Sequence, residues 1–433
     1  MLIASLAGCK QSNPSLHDLS ELEILYQNQD IASKVIIYDA FTPPVASRIY
    51  VYTSLAFYEA IRFTSDTATS LTEKLHGFSK MPVPEPGRAY NYTLAATKAF
   101  FTVLRNIKVF SADSLNNYES SVYEQFREKL DTATFARSMQ FGDTIAKTVM
   151  IRAKNDGYLQ SRGKPKFLGS QAPGKWRPTP PDYLDGVEWC WNTMKPMVLD
   201  SASQFPAPGP PEYNPDTSSI FFKDVMEVYN TGIHLTKEQK SIAQYWDDNP
   251  FVMQHAGHLM YGTKKLTPGG HWMSIAAIAS KQSNADIIKT AKCYALTAIA
   301  LYDAFIACWD IKYKSNFVRP VTVINEILDK TYQPFLQTPP FPEYTSGHST
   351  ITASAATVLS HLFGNNFAFL DTSEMKYIGM QRHFNSFLEA AGEASISRLY
   401  GGIHFRHSIN DGAAQGRKVG ELIVSRLMHD TTK

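Results

Sequence analysis

Three short segments concentrate the residues of this chain that could do chemistry. The first is Lys312-Tyr-Lys-Ser-Asn-Phe-Val-Arg319-Pro320. The second is Thr345-Ser346-Gly347-His348, and the third is Ser397-Arg398-Leu-Tyr-Gly-Gly-Ile-His404. Arginine offers a fork of donors that matches a tetrahedral oxyanion, and lysine adds a compact charge. A Ser-Gly turn can present backbone N–H groups to the same anion. Two histidines can then divide the roles of nucleophile or ligand and of general acid or base. A lone Lys or Arg on a helix is usually solvated, and Ser-Gly-His alone reads as a helix cap. The three together point to a catalytic oxyanion site.

The spacings K-x6-R-P, S-G-H and S-R-x5-H resemble the tripartite signature of the type 2 phosphatidic acid phosphatase and haloperoxidase superfamily. Further segments are similar to vanadium-dependent haloperoxidases of bacterial type. These are Pro340-Phe341-Pro342-Glu343-Tyr344-Thr345-Ser346-Gly347-His348, Asp303-Ala304, Trp309-Asp310, Gly174-Lys175-Trp176-Arg177-Pro178, Tyr245-Trp246-Asp247-Asp248 and Gly270-His271-Trp272. The resemblance implies vanadate as cofactor, with hydrogen peroxide, halide and small organic acceptors as partners in the reaction. Lys312, Arg319 and Arg398 would bind equatorial oxygens, with hydrogen bonds from Ser346 and the Gly347 N–H. His404 would be the axial ligand to vanadium and His348 the acid–base residue. Trp309 and Phe341 fall where the family lines its halide pocket, and Asp247 or Asp248 would brace Arg398.

The same scaffold also supports a soluble acid phosphatase. His404 would then form a phosphohistidine and His348 would protonate the leaving group. Phosphatase members usually place an Asp four residues after the third histidine, where it orients the ring. Here that position is Ser408. Asp411, on the same helical face as position 404, and His407 remain as candidates for fixing the His404 tautomer.

Composition agrees with a folded enzyme: 433 residues, 44% hydrophobic and 19% charged. A net charge of +2 and the lack of a basic tract give no case for nucleic acid. No uninterrupted apolar run reaches the length of a membrane span. Of four cysteines, Cys293 and Cys308 fall in an apolar helical stretch and read as buried thiols. Leu6-Ala7-Gly8-Cys9 resembles a bacterial lipobox. It implies lipidation at Cys9, a peripheral membrane tether and export to the cell envelope.

Helical periodicity dominates, so the expected class is all-α, built of helical bundles with the oxyanion site in the C-terminal one. The division is a signal remnant and tether at 1–15, a helical region at 16–216 and a catalytic helical domain at 217–433. Helices are expected at 18–38, 45–64, 88–107, 112–130, 132–155, 217–230, 236–246, 269–282, 284–310, 347–363, 373–399 and 407–428. Residues 158–216, rich in Pro and Gly, would wrap the surface or build part of a substrate funnel. His255 and His258 have a spacing that could place both on one helix face, and His271 could line the mouth of the site. Ala56-Phe-Tyr-Glu-Ala-Ile61 faintly echoes Ala300-Leu-Tyr-Asp-Ala-Phe305, as two related bundles would.

Overall fold

The computed structural model describes residues 19–428 other than 108–110, 112, 251, 257, 263 and 264. Cys9 and the expected tether lie outside the described residues. Local rules account for most helix starts. Ser20 opens α1 (Glu21–Tyr38) through a reciprocal pairing in which its hydroxyl accepts the Glu23 amide and the Glu23 carboxylate takes its own. Pro43 opens α2 (Pro43–Ile61), at the one helical position where a missing N–H costs nothing. Asn91 and Asp131 cap α3 (Tyr92–Asn106) and α5 (Thr132–Lys154), with α4 (Asp113–Lys129) between them. A short α6 (Tyr158–Arg162) leads into the long irregular stretch.

After it come α7 (Ile220–Ile233), α8 (Lys237–Tyr245) and a hairpin of β1 (Met253–Ala256) with β2 (Leu259–Gly262). The hairpin is a correction: His255 stands on a strand and His258 in the turn, so they share no helix face. Next are α9 (Pro268–Gln282), α10 (Ile287–Ser315), α11 (Pro320–Ile327) and α12 (Gly347–Phe363). α10 runs past its expected end and so carries Lys312. α11 was not expected at all.

The single helix expected over 373–399 is likewise replaced. β3 (Phe369–Asp371) pairs with β4 (Arg382–Phe384) around α13 (Met375–Ile378), and α14 (Phe387–Tyr400) starts afresh at Ser386. Gly379, at φ 70°, ends α13 in the left-handed region that only glycine enters freely. α15 (Arg406–Leu427) closes the fold. With fifteen helices and four short strands among the described residues, the class is all-α.

α10 is the shared spine. It packs on α2 on one side and on α12 on the other, and α2 in turn meets α3. By length and composition it could cross a membrane, yet 94% of its most apolar window is buried inside the protein, as in a core helix. α12 is held from behind by α15. At Gly416 a Cβ would stand 2.0 Å from the Thr350 carbonyl oxygen, so glycine there is what lets the two helices touch. That contact fixes α12, and with it Ser346 and His348.

The faint sequence echo has a structural counterpart. The two segments sit on α2 and α10, which pack together, and their acidic residues do the same job. Glu59 Oε1 accepts the amides of Leu71 and Thr72 at 2.8 and 3.1 Å. Asp303 accepts those of Met197, Val198 and Leu199 at 2.7, 2.7 and 2.9 Å. Each carboxylate thus gathers a turn of loop backbone onto its helix, satisfying donors that burial would otherwise leave bare.

Residues 158–216 wrap α10. Val187 O takes hydrogen bonds from Trp309 Nε1 at 3.2 Å and Tyr313 Oη at 2.6 Å, and Trp176 N donates to Asn316 O at 2.9 Å. Their part is to brace the spine, for none of them lines the site pocket. Cys190, Cys293 and Cys308 are buried free thiols.

Candidate active site

Five parts of the chain deliver the cations and histidines to one place. Lys312 comes from the last turn of α10 and Arg319 from the residue preceding α11. Ser346 and His348 come from the start of α12. Arg398 comes from the last turn of α14, and His404 from the turn before α15. Gly402 makes that turn possible. It adopts φ 74°, and a Cβ there would meet the Tyr332 hydroxyl at 2.6 Å.

The cations are buried, and much of their donor capacity is already used to fix them. Lys312 Nζ donates to the carbonyls of Pro342 and Glu343, both at 3.0 Å. Burial lowers its pKa to about 7. Arg319 donates from Nε to Phe341 O at 2.9 Å and from Nη1 to Ile403 O at 2.8 Å. Burial lowers its pKa too, to about 10. Arg398 donates from Nη1 to the Trp246 carbonyl, and to His348 Nε2 at 3.2 Å. What remains is Arg319 Nη2 with Arg398 Nε and Nη2, all buried and without a protein partner. A buried donor left bare costs about 1–3 kcal/mol, more when charged. Three such donors at two arginines fit an oxyanion with several acceptor oxygens.

Ser346 and Gly347 fit the same guest. Ser346 Oγ accepts from Ser349 N at 3.3 Å and Ser349 Oγ at 3.0 Å, so its own proton can go to a ligand. It caps α12, whose first N–H groups favour an anion. At Gly347 a Cβ would stand 3.5 Å from Trp309 and 3.8 Å from Lys312. The protein would tolerate it, so the space saved is space for a ligand.

The tautomer of His404 can be read from its neighbours. Arg319 Nη1, which can only donate, faces Nε2 at 3.2 Å. Nδ1 faces Glu343 Oε1 at 2.8 Å. Nδ1 therefore carries the proton and Nε2 keeps its lone pair. Burial, then Arg319, Lys312 and Arg398, hold this imidazole neutral, well below its ordinary pKa. The residue that orients it is thus Glu343, and not Asp411, which accepts from Tyr344 Oη at 2.8 Å. His407 is not near it in function either: its Nδ1 pairs with Asp224 Oδ2 at 2.8 Å. Ser408, where an Asp was looked for, leans its Oγ to the Glu343 carbonyl at 3.4 Å. Glu343 was missed, although it stands two residues before the second segment.

His348 is also neutral. Burial, then Arg398, push its pKa well below the usual value. The charges of Asp247 and Asp248 act on Arg398 as the sequence suggested, but neither side chain hydrogen-bonds it. Backbone carbonyls of Trp246 and Asp247 do so, the latter at 3.4 Å. The Asp247 carboxylate pairs instead with Lys265. Asp248 turns to His271 and stands 3.8 Å from His348. His271 lies fully buried beneath the site and does not line its mouth.

An apolar wall completes the pocket. Phe305, Trp309, Pro339, Phe341, Ile351 and Ile403 line it opposite His348, Arg398 and His404. Trp309 and Phe341 pack with ring centroids 5.1 Å apart. The Phe341 ring lies 5.1 Å from both Lys312 Nζ and Arg319 Cζ. A weakly hydrated anion would find apolar cover here beside positive charge.

Known proteins share this fold. The family model for the VCPO second helical-bundle domain matches residues 292–431. The structure is similar to that of a bacterial vanadium-dependent iodoperoxidase, with 41% identity, a TM-score of 0.90, and 96% of this chain and 99% of that one covered. It also matches the holo form of a bacterial vanadium-dependent chloroperoxidase at 18% identity and TM-score 0.69, covering 96% and 94%. The apo form of such a chloroperoxidase matches at 18% identity and TM-score 0.70, covering 89% and 94%. A search of curated proteins gave no match.

Proposed function

The chain belongs to the vanadium-dependent haloperoxidases, and from that premise we propose that it oxidises iodide with hydrogen peroxide at the cage of Lys312, Arg319, Ser346, Gly347 and Arg398. The observation that carries the site is the set of bare buried donors on Arg319 and Arg398 around a neutral His404, and iodide as the halide rests on the likeness to the iodoperoxidase. His404 Nε2 would be the metal ligand, and Glu343 would hold its tautomer. When bound, vanadate supplies Lewis-acid activation of peroxide without a change in oxidation state.

The protein's own residues do the rest. The three cations offset the oxyanion's charge in a place where water cannot. His348, neutral at rest, can take a proton from hydrogen peroxide at Nε2 and return it to the leaving oxygen. Trp309 and Phe341 line the approach of the halide, and the hypohalous acid formed goes on to small organic acceptors.

A paired assay on purified protein tests this reading. Iodide oxidation and hydrolysis of a simple phosphate ester are each followed with and without orthovanadate. Iodide oxidation that requires vanadate is the expected result. Ester hydrolysis that vanadate blocks would make the chain a phosphatase with His404 as nucleophile. In the same assay His348→Ala should lower kcat by roughly 10²- to 10⁴-fold, while equilibrium dialysis still finds vanadate bound. Wild-type turnover in that variant would remove His348 from its acid–base role.

The Leu6-Ala7-Gly8-Cys9 stretch supports a lipid tether at Cys9 and a place at the cell envelope. Labelled fatty acid should enter the wild type in a bacterial host and not Cys9→Ser. Equal labelling of both would dismiss the tether.

A further inference from the structure

Beneath His348 lies a buried chain of charged groups with no part yet in the chemistry. Asp248 presents both carboxylate oxygens to His271 Nδ1, at 3.1 and 3.2 Å. His271 Nε2 meets Asp371 Oδ2 at 2.9 Å. Both ring nitrogens therefore face carboxylates, which accept and do not donate when ionised. The ring is fully buried and stacks on Trp246, with centroids 4.4 Å apart and planes at 18°. An imidazolium suits that setting. Burial opposes the charge, but Asp248 and Asp371 prevail and hold His271 well above its ordinary pKa. Asp371 is supplied by β3, and its Oδ1 is steadied by the Ser373 amide at 3.0 Å. Asp248 takes up φ 43°, in the left-handed region where a residue other than glycine is strained.

His348 needs an acceptor only once it is protonated. At rest its Nε2 accepts from Arg398 Nη1 at 3.2 Å. A protonated Nε2 would become a donor: it would turn from Arg398 to an acceptor such as the Trp246 carbonyl, and its charge, opposed by Arg398, His271 and Lys312, would need an anion close by. Asp248 Oδ2, at 3.8 Å, is in place for that. We propose that His271, anchored by Asp371, is a positioning residue that holds Asp248 as the counter-ion for His348 in its protonated state. The proton comes from hydrogen peroxide and leaves with the departing oxygen, while Asp248 stays ionised and His271 keeps both of its ring protons. This inference rests on the haloperoxidase reading.

Other charged groups close by do not take over the role. Glu374 Oε1 lies 3.9 Å from His271 Nδ1, and burial, then Asp248, raise its pKa to about 8. Lys265 is engaged by Asp247. Ligand atoms of Asp248, His271 and Glu374 lie within 4.8 Å of one another, close enough to hold a cation. A proton on Nδ1 explains the contact better, because Asp248 already closes on it with both oxygens.

The test is a double-mutant cycle of His271→Gln and Asp248→Asn in the vanadate-loaded enzyme, read by iodide oxidation and by equilibrium dialysis of vanadate. His271→Gln should lower kcat roughly 10- to 100-fold, with the vanadate Kd changed less than about threefold. Added to Asp248→Asn it should cost nothing further, since it acts through Asp248. Additive losses, an unchanged kcat, or kcat and vanadate affinity falling together would each overturn the proposal. Nitrogen NMR of the wild-type apoprotein gives a second reading that needs no variant to fold. Both His271 ring nitrogens should carry protons at neutral pH, and one bare nitrogen or a stoichiometric divalent metal would refute the assignment. Loss of the haloperoxidase reading would show differently, as a wild type without vanadate-dependent iodide oxidation.

Discussion

His404→Ala should abolish iodide oxidation and weaken vanadate retention by well over the roughly 100-fold that marks the upper end for an outer-shell partner. Every other group in the cage reaches only oxygen. Lys312, Arg319, Arg398 and the α12 amides serve as donors, and the lone pairs of Ser346 Oγ are taken up by Ser349. The His404 Nε2 lone pair, which Arg319 Nη1 faces at 3.2 Å, is the one assigned to the metal. Truncation should leave the fold standing. Arg319 keeps the carbonyls of Phe341 and Ile403, and Glu343 keeps the Phe405 amide at 3.0 Å. Equilibrium dialysis with orthovanadate, beside a thermal melt, separates the two effects. A variant that melts like the wild type and has lost vanadate fits the assignment. One that keeps both vanadate and turnover would remove His404 from the metal.

The cage residues were legible in the sequence because each is tied to a local signal. Arg319 precedes Pro320 at a helix start, Ser346 precedes Gly347 at another, and His404 follows two glycines that end a helix. The joint occurrence of the three segments, and their likeness to the superfamily signature, marked them together with Lys312 and Arg398. Their supports were not legible, because they are made by contacts far apart in the chain. Glu343 and His404 are 61 residues apart, and His271 and Asp371 are 100 apart. Asp411 had the helical register to face position 404, yet the ring turned to Glu343. Register fixes which side of a helix a residue occupies, and the packing of neighbouring segments decides what it meets there.

The same limit explains the misread helix over 373–399. Its apolar spacing is real, but Phe369, Phe384 and Phe387 pack together across the β3–β4 pair, with centroids 5.2 and 5.7 Å apart. Tertiary burial of those rings overrode the period. The consequence is functional, because β3 is the element that carries Asp371 to His271. The long Pro/Gly-rich loop was also half read. It wraps the surface, but it serves α10 and contributes nothing to the pocket wall.

Glu343→Ala should carry the second largest loss, roughly 10- to 100-fold in vanadate affinity, with Glu343→Gln recovering part of it. The carboxylate stands where no water reaches it, at 0% exposure, and Oε1 takes both the His404 ring proton and the Phe405 amide. Burial pushes Glu343 up from its ordinary pKa, against the pull of His407, Arg319 and Lys312. Alanine removes the acceptor, so only the Arg319 contact still favours the proton on Nδ1, and the ring is freer to present the wrong nitrogen. It also strips the cage of a buried carboxylate whose charge acts on Lys312 and Arg319. Glutamine restores one acceptor oxygen without the charge. The gap between the two variants therefore measures how much of the effect is orientation and how much is charge. Nitrogen NMR of the His404 ring in the apoprotein offers a reading independent of turnover. The wild type should show a protonated Nδ1 and a bare Nε2, and Glu343→Ala a mixture of tautomers. If Glu343→Ala binds vanadate like the wild type and keeps a single tautomer, the ring is fixed by the Arg319 contact alone, and Glu343 serves only to tie the second segment to the turn before α15.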